Sequence, residues 1–286
     1  MAPSDDTQNP PSPSQATVWN GPGGEGWVAA QPTLDLMFKA IEEALVEQVR
    51  TAGARQVLDI GCGAGATTLA IARELGADAR CTGLDISAPL IAAARARAEQ
   101  QNASADFILA DAETYTFEPD AFDMIVSRFG VMFFEDSVRA FANVHAAARP
   151  GASLCFFAWR APQENPFMTA AEHAARTILP DLPLREPNTP GPFAFADADR
   201  LHAILQDAGW RDIAIQPRDF PCAFPVADLD RFFLHVGPVA QIMRGLDDEK
   251  LRARLVEATR RAYDPMIEDD EVRFTASCWM ASAKAP

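Results

Sequence analysis

The sequence lacks a strongly basic segment, and this absence narrows the class of partner. Its 286 residues include 25 lysines and arginines against 40 aspartates and glutamates, so that the formal net charge is −15. A protein that binds a phosphate backbone needs clustered cationic side chains. We therefore predict that this chain does not bind nucleic acid.

Long apolar runs and a leader peptide are lacking as well. No apolar run approaches the ~18 residues of a membrane-spanning helix, and the N-terminus has neither a basic start nor an apolar core. The cysteines are scattered and form no CxxC pair: Cys62, Cys81, Cys155, Cys222 and Cys278. A scattered, odd set indicates a reducing compartment. We predict a cytoplasmic protein, without a membrane partner or a metal site, that is either a monomer or a homodimer.

The first 27 residues differ in composition from the rest of the chain. Residues 1–17 are rich in Pro, Ser, Asp and Gln, which predicts a disordered tail. Residues 18–27 combine two tryptophans with a cluster of glycines, a pattern that fits either a surface loop or a flap over a ligand. A helix is predicted over about 32–52 from its helical apolar spacing. We expect residues 18–286 to form a single domain.

Predicted strands and helices alternate from the middle of the chain onward. Such alternation predicts an α/β fold, a doubly wound, mostly parallel and Rossmann-like sheet of seven strands. Two irregular segments, about 160–196 and 221–265, are rich in Phe, Trp, Met and Pro, and we predict that they are helical insertions forming a cap. The strands are expected at 57–60, 79–86, 105–112, 122–127, 153–159, 211–217 and 272–283.

The glycine-rich segment after the first strand is the strongest local signal. It reads Val-Leu-Asp-Ile-Gly-Cys-Gly-Ala-Gly over residues 57–65, and a helix-forming stretch follows. Glycine permits positive φ and lets the backbone approach a ligand closely, while the helix N-terminus offers free N–H groups. Because Gly61-x-Gly63-x-x-Ala66 also fits the dinucleotide fingerprint, an NAD(P)-dependent oxidoreductase is an alternative.

Three features favour S-adenosylmethionine over a dinucleotide. Asp59 lies inside the strand, where a buried carboxylate needs partners. Gly65 extends the loop to GxGxG, with the small Cys62 filling the turn. Asp111 and Ala112 follow the third strand and suit an adenine edge, while Asp85 ends the second strand near the expected ribose. Ligands in such sheets bind at the carboxyl ends of the strands.

Five ordered motifs resemble the class I S-adenosylmethionine-dependent methyltransferases. They are the glycine segment, then Leu-Asp-Ile-Ser, Ala-Asp-Ala-Glu, Phe-Asp-Met-Ile-Val-Ser and Ala-Arg-Pro-Gly-Ala, and they cover about residues 55–160. Within the superfamily the chain is similar to the small-molecule group, type 11, that includes the ubiquinone and menaquinone methyltransferases. The N-terminal and fifth-strand motifs of the quinone enzymes are replaced here, so quinone specificity is not implied.

The resemblance implies a role for each part of the site. Asp59, Gly61 and Gly63 would hold the methionine moiety, and Ser127 would contribute backbone nearby. Asp85 would bind the ribose hydroxyls. Ile86 would pack on the adenine, whose edge Asp111 and Ala112 would read. Trp27 and Gln31 would close over the methionine end. The full set of expected cofactor residues is Asp59, Gly61, Cys62, Gly63, Gly65, Asp85, Ile86, Asp111, Ala112, Ser127, Trp27 and Gln31.

The predicted reaction is methyl transfer to a small aromatic or apolar metabolite. The sulfonium activates the methyl group, so that catalysis requires mainly orientation and exclusion of water. A base is needed when the acceptor starts protonated. His173 and His235 are the candidates, and Arg128 is a candidate for binding an anionic substrate group or a structural carboxylate. A cofactor-binding regulatory module without turnover is a further alternative. An aromatic substrate pocket is expected from Phe129, Phe133, Trp159, Phe167 and Phe233.

Overall fold

In the computed structural model, which describes residues 14–286, one sheet organises the chain. The main path has the order β3-β2-β1-β4-β5-β8-β6, with the short β7 paired to β8. β1 to β5 are parallel, and β8 runs antiparallel to both β5 and β6. The predicted doubly wound, mostly parallel sheet is confirmed. The strands are β1 Gln56–Ile60, β2 Arg80–Asp85, β3 Ala105–Leu109, β4 Phe122–Arg128, β5 Ala148–Trp159, β6 Arg211–Pro225, β7 Ile267–Glu268 and β8 Glu271–Lys284.

Eleven α-helices accompany the sheet in the described part of the chain. α3 packs beside α4 and over β4 and β5, whereas α8 packs beside α6 and over β6. The helices α7 and α9–α11 pack on one another, and α9 also packs on α2. The helices are α1 Gln15–Trp19, α2 Pro22–Met37, α3 Lys39–Ala52, α4 Ala66–Leu75, α5 Ala88–Gln101, α6 Ser137–Ala146, α7 Pro166–Arg176, α8 Ala198–Asp207, α9 Leu229–His235, α10 Pro238–Gly245 and α11 Glu249–Ala262.

The N-terminal region departs from the sequence-based expectation. Residues 1–13 of the predicted tail lie outside the described residues, but α1 begins within the rest of it, and the predicted loop at 18–27 is largely helical. The glycines of α2 serve close packing: a Cβ at Gly24 would collide with Trp19 and Ser87, and one at Gly26 with the carbonyl of His235. Tertiary packing therefore overrides the low helix propensity of glycine. The single helix predicted for 32–52 is divided at Phe38.

The second insertion also differs from its predicted form. β6 continues to Pro225, so residues 221–225 belong to the sheet rather than to the cap. Proline is tolerated there because β6 is an edge strand, paired with β8 alone among the strands of residues 14–286. Three helices follow, α9 to α11, and Gly237, with a φ of 90°, separates α9 from α10.

Candidate active site

The glycine-rich turn after β1 is held by the end of β2. Gly61 N–H and Cys62 N–H both donate to the carbonyl of Leu84, at 2.8 and 3.1 Å. The Asp85 carboxylate accepts from Gly63 N–H at 2.8 Å and from Ser87 N–H at 2.9 Å. Gly61 and Gly63 have φ values of 64° and 54°, in the left-handed region. Asp85 therefore fixes the turn that the sequence predicted as a ligand-binding loop.

A second glycine, Gly130, brings the segment after β4 against this turn. A Cβ at Gly130 would lie 2.6 Å from Gly61 Cα and 2.7 Å from the Ile60 carbonyl oxygen. Ser127 anchors the same segment, because its hydroxyl donates to Ile60 O at 2.7 Å and accepts from Gly130 N–H at 3.1 Å. Sequence reasoning missed Gly130, since no local pattern reports an approach between turns about 70 residues apart.

Asp59 is the buried carboxylate beneath the turn. Thr68 Oγ1 donates to its Oδ2 at 2.6 Å, whereas its Oδ1 has no hydrogen-bond partner among residues 14–286. Burial raises the pKa of Asp59 to about 7, and the Thr68 hydrogen bond and the charge of Arg128 oppose that rise. A buried carboxylate oxygen without a donor is costly, and a cationic group bound in the turn would supply one.

Arg128 presents the complementary donor. One of its buried guanidinium nitrogens, Nη1, has no partner in the described part of the chain, and the guanidinium carbon lies 5.9 Å from the centre of the Phe38 ring. Asp59 and Arg128 thus offer one unpaired acceptor and one unpaired donor to the same pocket. The zwitterionic end of an amino acid would match both.

Helix α2 is fastened over the turn through a carboxylate that the sequence did not suggest. Asp35 Oδ2 accepts from Arg97 Nη2 at 2.6 Å, and Arg97 Nη1 donates to the carbonyl of Ala64 at 2.7 Å. Gln31 also donates to Asp35, at 2.5 Å. Arg97 therefore links α2 to the glycine turn and positions Trp27 and Gln31 above it.

Three cavities meet at the carboxyl edge of the sheet. The loop pocket lies between α2 and the glycine turn. The strand-end cleft follows the ends of β2 and β3. The cap cavity, the largest of the three, lies under α7, α9 and α10. Among the described residues, only Trp27 and Phe129 line all three.

Most of the expected cofactor residues lie in the first two cavities. Gly65 and Ser127 are absent from the linings of all three described cavities: Gly65 packs against Phe107, and Ser127 is fully buried behind the turn. The loop pocket takes Asp59, Gly61, Cys62, Gly63, Trp27 and Gln31, and the strand-end cleft takes Asp85, Ile86, Asp111 and Ala112, with Gly61, Gly63 and Trp27 shared.

The turn at residues 111–113 lines the strand-end cleft, and α1 lies over that cleft. Asp111 Oδ1 accepts from Glu113 N–H at 2.9 Å, and Asn143 fixes the turn by donating to Ala112 O at 2.7 Å. The backbone of Gln15 donates to Glu135 at 2.9 Å. Ser87 Oγ donates to Trp19 O at 2.6 Å, so α1 is tied to both rims of the strand-end cleft.

The two histidine candidates lie in different surroundings. His235 lies at the end of α9 and lines the cap cavity, whereas His173 is exposed on α7 and is absent from the linings of the described cavities. Burial raises the thiol pKa values of all five cysteines. All five aromatic residues expected in the substrate pocket line the cap cavity: Phe129, Phe133, Trp159, Phe167 and Phe233.

Comparison with known proteins defines the class to which this fold and site belong. Residues 57–151 match the family described as methyltransferase domain. The chain carries a methyltransferase domain of the class I, S-adenosylmethionine-dependent type, and S-adenosylmethionine is its cofactor. No helix in residues 14–286 is long and apolar enough to cross a membrane.

Particular relatives show how far the similarity extends. Demethylmenaquinone methyltransferase of Lactiplantibacillus plantarum is 33% identical over 37% of this chain and 46% of its own length. Phosphoethanolamine N-methyltransferase 1 of Triticum aestivum is 26% identical over 85% of this chain and 42% of its own. The chain thus spans less than half the length of these two relatives. The crystal structure of the cyclase SpnF shares the fold, with a TM-score of 0.57 and 19% identity over 97% of this chain and 98% of that one.

Proposed function

We propose that the chain transfers the methyl group of S-adenosylmethionine to a small aromatic or apolar metabolite. The observation that carries this proposal is the meeting of three cavities at Trp27 and Phe129. The cofactor sulfur bears three carbon substituents: the methionine chain, the adenosyl group and the methyl group. One cavity would accommodate each substituent, and the cap cavity would be left to the acceptor of the methyl group.

The residues of each cavity suit the group assigned to it. In the loop pocket, Asp59 accepts from the ammonium of the methionine moiety and Arg128 donates to its carboxylate. In the strand-end cleft, Asp85 accepts from the ribose hydroxyls, and the Asp111–Ala112 segment faces the adenine edge. Held by these residues, S-adenosylmethionine would supply an activated methyl group to the acceptor, with S-adenosylhomocysteine as the leaving group.

The cap cavity supports an apolar acceptor. Aromatic side chains from α2, the β4 and β5 ends, α7 and α9 line it. One charged pair in its wall is neutralised, since Arg185 Nε donates to the buried Glu172 at 3.0 Å, and Glu186, Asp197 and Arg244 also line the cavity. Of the acceptors named for the two relatives, demethylmenaquinone resembles what the mainly aromatic lining favours. His235 is the base candidate for a protonated acceptor, and Arg128 is assigned to the cofactor.

Calorimetry of the purified protein tests the proposal. We expect S-adenosylmethionine and S-adenosylhomocysteine to bind with one site each, and NADH to give no heat. Binding of NADH with no heat from the other two would move the function to an oxidoreductase. Cofactor binding without S-adenosylhomocysteine production, across a panel of phenolic, quinone and polyketide acceptors, would favour a regulatory module instead.

A further inference from the structure

One wall of the cap cavity is part of a long segment without regular structure. Residues 177–197, between α7 and α8, contain neither an α-helix nor a strand. Every residue from 185 to 191 lines the cavity, and residues 183–189 are exposed, so that no other element of residues 14–286 covers them. Loops of this length are uncommon in compact domains and are usually functional, for example as active-site lids.

The start of this wall is fastened to α7 by two side chains. Arg185 Nε donates to Glu172 Oε1 at 3.0 Å and to Oε2 at 3.1 Å, and Arg185 Nη2 also donates to Oε1. Arg176 Nη2 donates to Pro183 O at 3.1 Å and reaches Glu172 Oε2 only at 4.0 Å. Both oxygens of the buried Glu172 carboxylate are therefore paired mainly through one residue of the wall.

The other end of the wall is held by a single backbone hydrogen bond. Gly191 N–H donates to Met132 O, in the segment after β4, at 3.0 Å. Between the two ends, Thr189 Oγ1 donates to Glu186 O within the wall itself. No hydrogen bond joins residues 186–190 to another element in the described part of the chain. The 183–191 segment is thus a strap, attached at its ends and unattached in its middle.

We propose that the 183–191 segment is the gate of the cap cavity and that Glu172 is its latch, so that opening of the Glu172–Arg185 pair admits and releases the ligand. This inference rests on the proposed function in identifying that ligand as the methyl acceptor. Glu172 favours the closed state, because withdrawal of Arg185 leaves a buried charge without its main partner. Opening leaves the cofactor side undisturbed, since the linings of the loop pocket and the strand-end cleft contain no residue of the segment.

The binding kinetics of a fluorescent probe test the gate in the full-length protein. 8-Anilinonaphthalene-1-sulfonate is mixed with the protein by stopped flow, and the phase that Ala171→Trp removes belongs to the cap cavity, which Ala171 lines. Glu172→Gln keeps the side-chain volume and removes the charge. The association and dissociation rate constants of this phase should both rise about tenfold, as expected for loss of a charge-assisted pair with a partly exposed partner. Their ratio should stay within about twofold of the wild type, because a gate changes access rather than affinity.

Asp230→Asn is the matched control for the latch variant. Asp230 joins α9 to α11 by accepting from Arg260 Nε at 3.1 Å, and it is absent from the lining of the cap cavity. Its rate constants should equal those of the wild type. Unchanged rate constants in Glu172→Gln would overturn the gate. A changed dissociation constant with an unchanged association rate constant would also overturn it, because Glu172 would then act as wall only.

The outcomes separate the gate from the proposed function. The probe enters without the cofactor, so a confirmed gate in a protein that binds neither S-adenosylmethionine nor S-adenosylhomocysteine would overturn the proposed function alone. A wild type without a probe phase that Ala171→Trp removes would overturn the gate alone. Circular dichroism shows whether Glu172→Gln folds; if it does not, Arg185→Gln, a change at an exposed residue, decides the outcome by the same two rate constants.

Discussion

The clefts at the sheet edge and the cavity under the cap are built from different parts of the chain. The clefts at the sheet edge are formed by turns whose backbone N–H groups and carboxylates hold one another, as Asp85 accepts from Gly63 N–H and Ser87 N–H. The cap cavity is lined mainly by side chains projecting from helices. A site formed by the backbone tolerates few substitutions, whereas a cavity formed by side chains can be reshaped one residue at a time.

The largest effect is expected where two backbone turns meet. Gly130→Ala places a Cβ 2.6 Å from Gly61 Cα, and overpacking of this kind lowers the free energy of unfolding by about 3 kcal/mol. Urea denaturation measures that loss, and calorimetry should show cofactor binding abolished. Gly245→Ala is the control, since a Cβ there meets nothing within 4 Å. A Gly130→Ala protein as stable as the control would show that the two turns are not rigid.

Asp85→Ala should weaken cofactor binding by about 10- to 100-fold, as expected for the loss of a charge-assisted hydrogen bond. Asp85 is buried and also secures the turns. Asp106→Ala, on the neighbouring strand, removes an exposed carboxylate that pairs with Arg80 and should leave the dissociation constant unchanged. Equal affinities of the two variants would remove Asp85 from the site.

The Asp59 carboxylate should lower the free energy of unfolding and raise the affinity for the cofactor. Its folded-state pKa, raised to about 7 by burial, lies above the unfolded value, so the stability present at low pH is lost as pH rises through 7. Asp59→Asn removes this loss. Its unfolding free energy should exceed that of the wild type by on the order of 4 kcal/mol above pH 7, with the difference growing from about pH 4.

Asp59→Asn should stabilise the fold but weaken binding of S-adenosylmethionine. Wild-type affinity for S-adenosylmethionine should increase as pH rises through 7, because the ionised carboxylate pairs with the ligand ammonium. Asp59→Asn should lose this increase and bind more weakly than the wild type above pH 7. A variant that binds as tightly as the wild type at pH 8 would contradict the assignment.

The smallest effect on the cofactor is expected from filling the cap cavity. Ala171 on α7 lines that cavity and is absent from the other two linings. Ala171→Trp should leave the S-adenosylmethionine dissociation constant within about twofold of the wild type, while reducing the fluorescence of 8-anilinonaphthalene-1-sulfonate bound to the protein. A large change in cofactor affinity would show that the two sides are not independent.

The sheet was predictable because its signals are local. Buried apolar runs, glycine turns and carboxylates at strand ends lie within a few residues of one another, so Asp85 and Asp111 were found from sequence. The glycines of α2 led to a wrong loop prediction, because they permit close contacts with Ser87 and His235, which are distant in the chain and leave no local signal. The Arg97 link and the left-handed backbone of Phe129, with a φ of 68°, likewise depend on tertiary packing, which no sequence periodicity reports.

The pairing of β6 with β8 has a consequence for engineering. Pro225 is paired with Glu271, and Val226 N–H donates to Asp270 O at 2.9 Å. The ends of the segment 226–270, which contains α9 to α11, therefore stand side by side on a rigid hairpin. Replacing this segment by another of similar span adds little closure entropy. We expect it to behave as an exchangeable cassette, through which acceptor preference can be transplanted while the sheet is left intact.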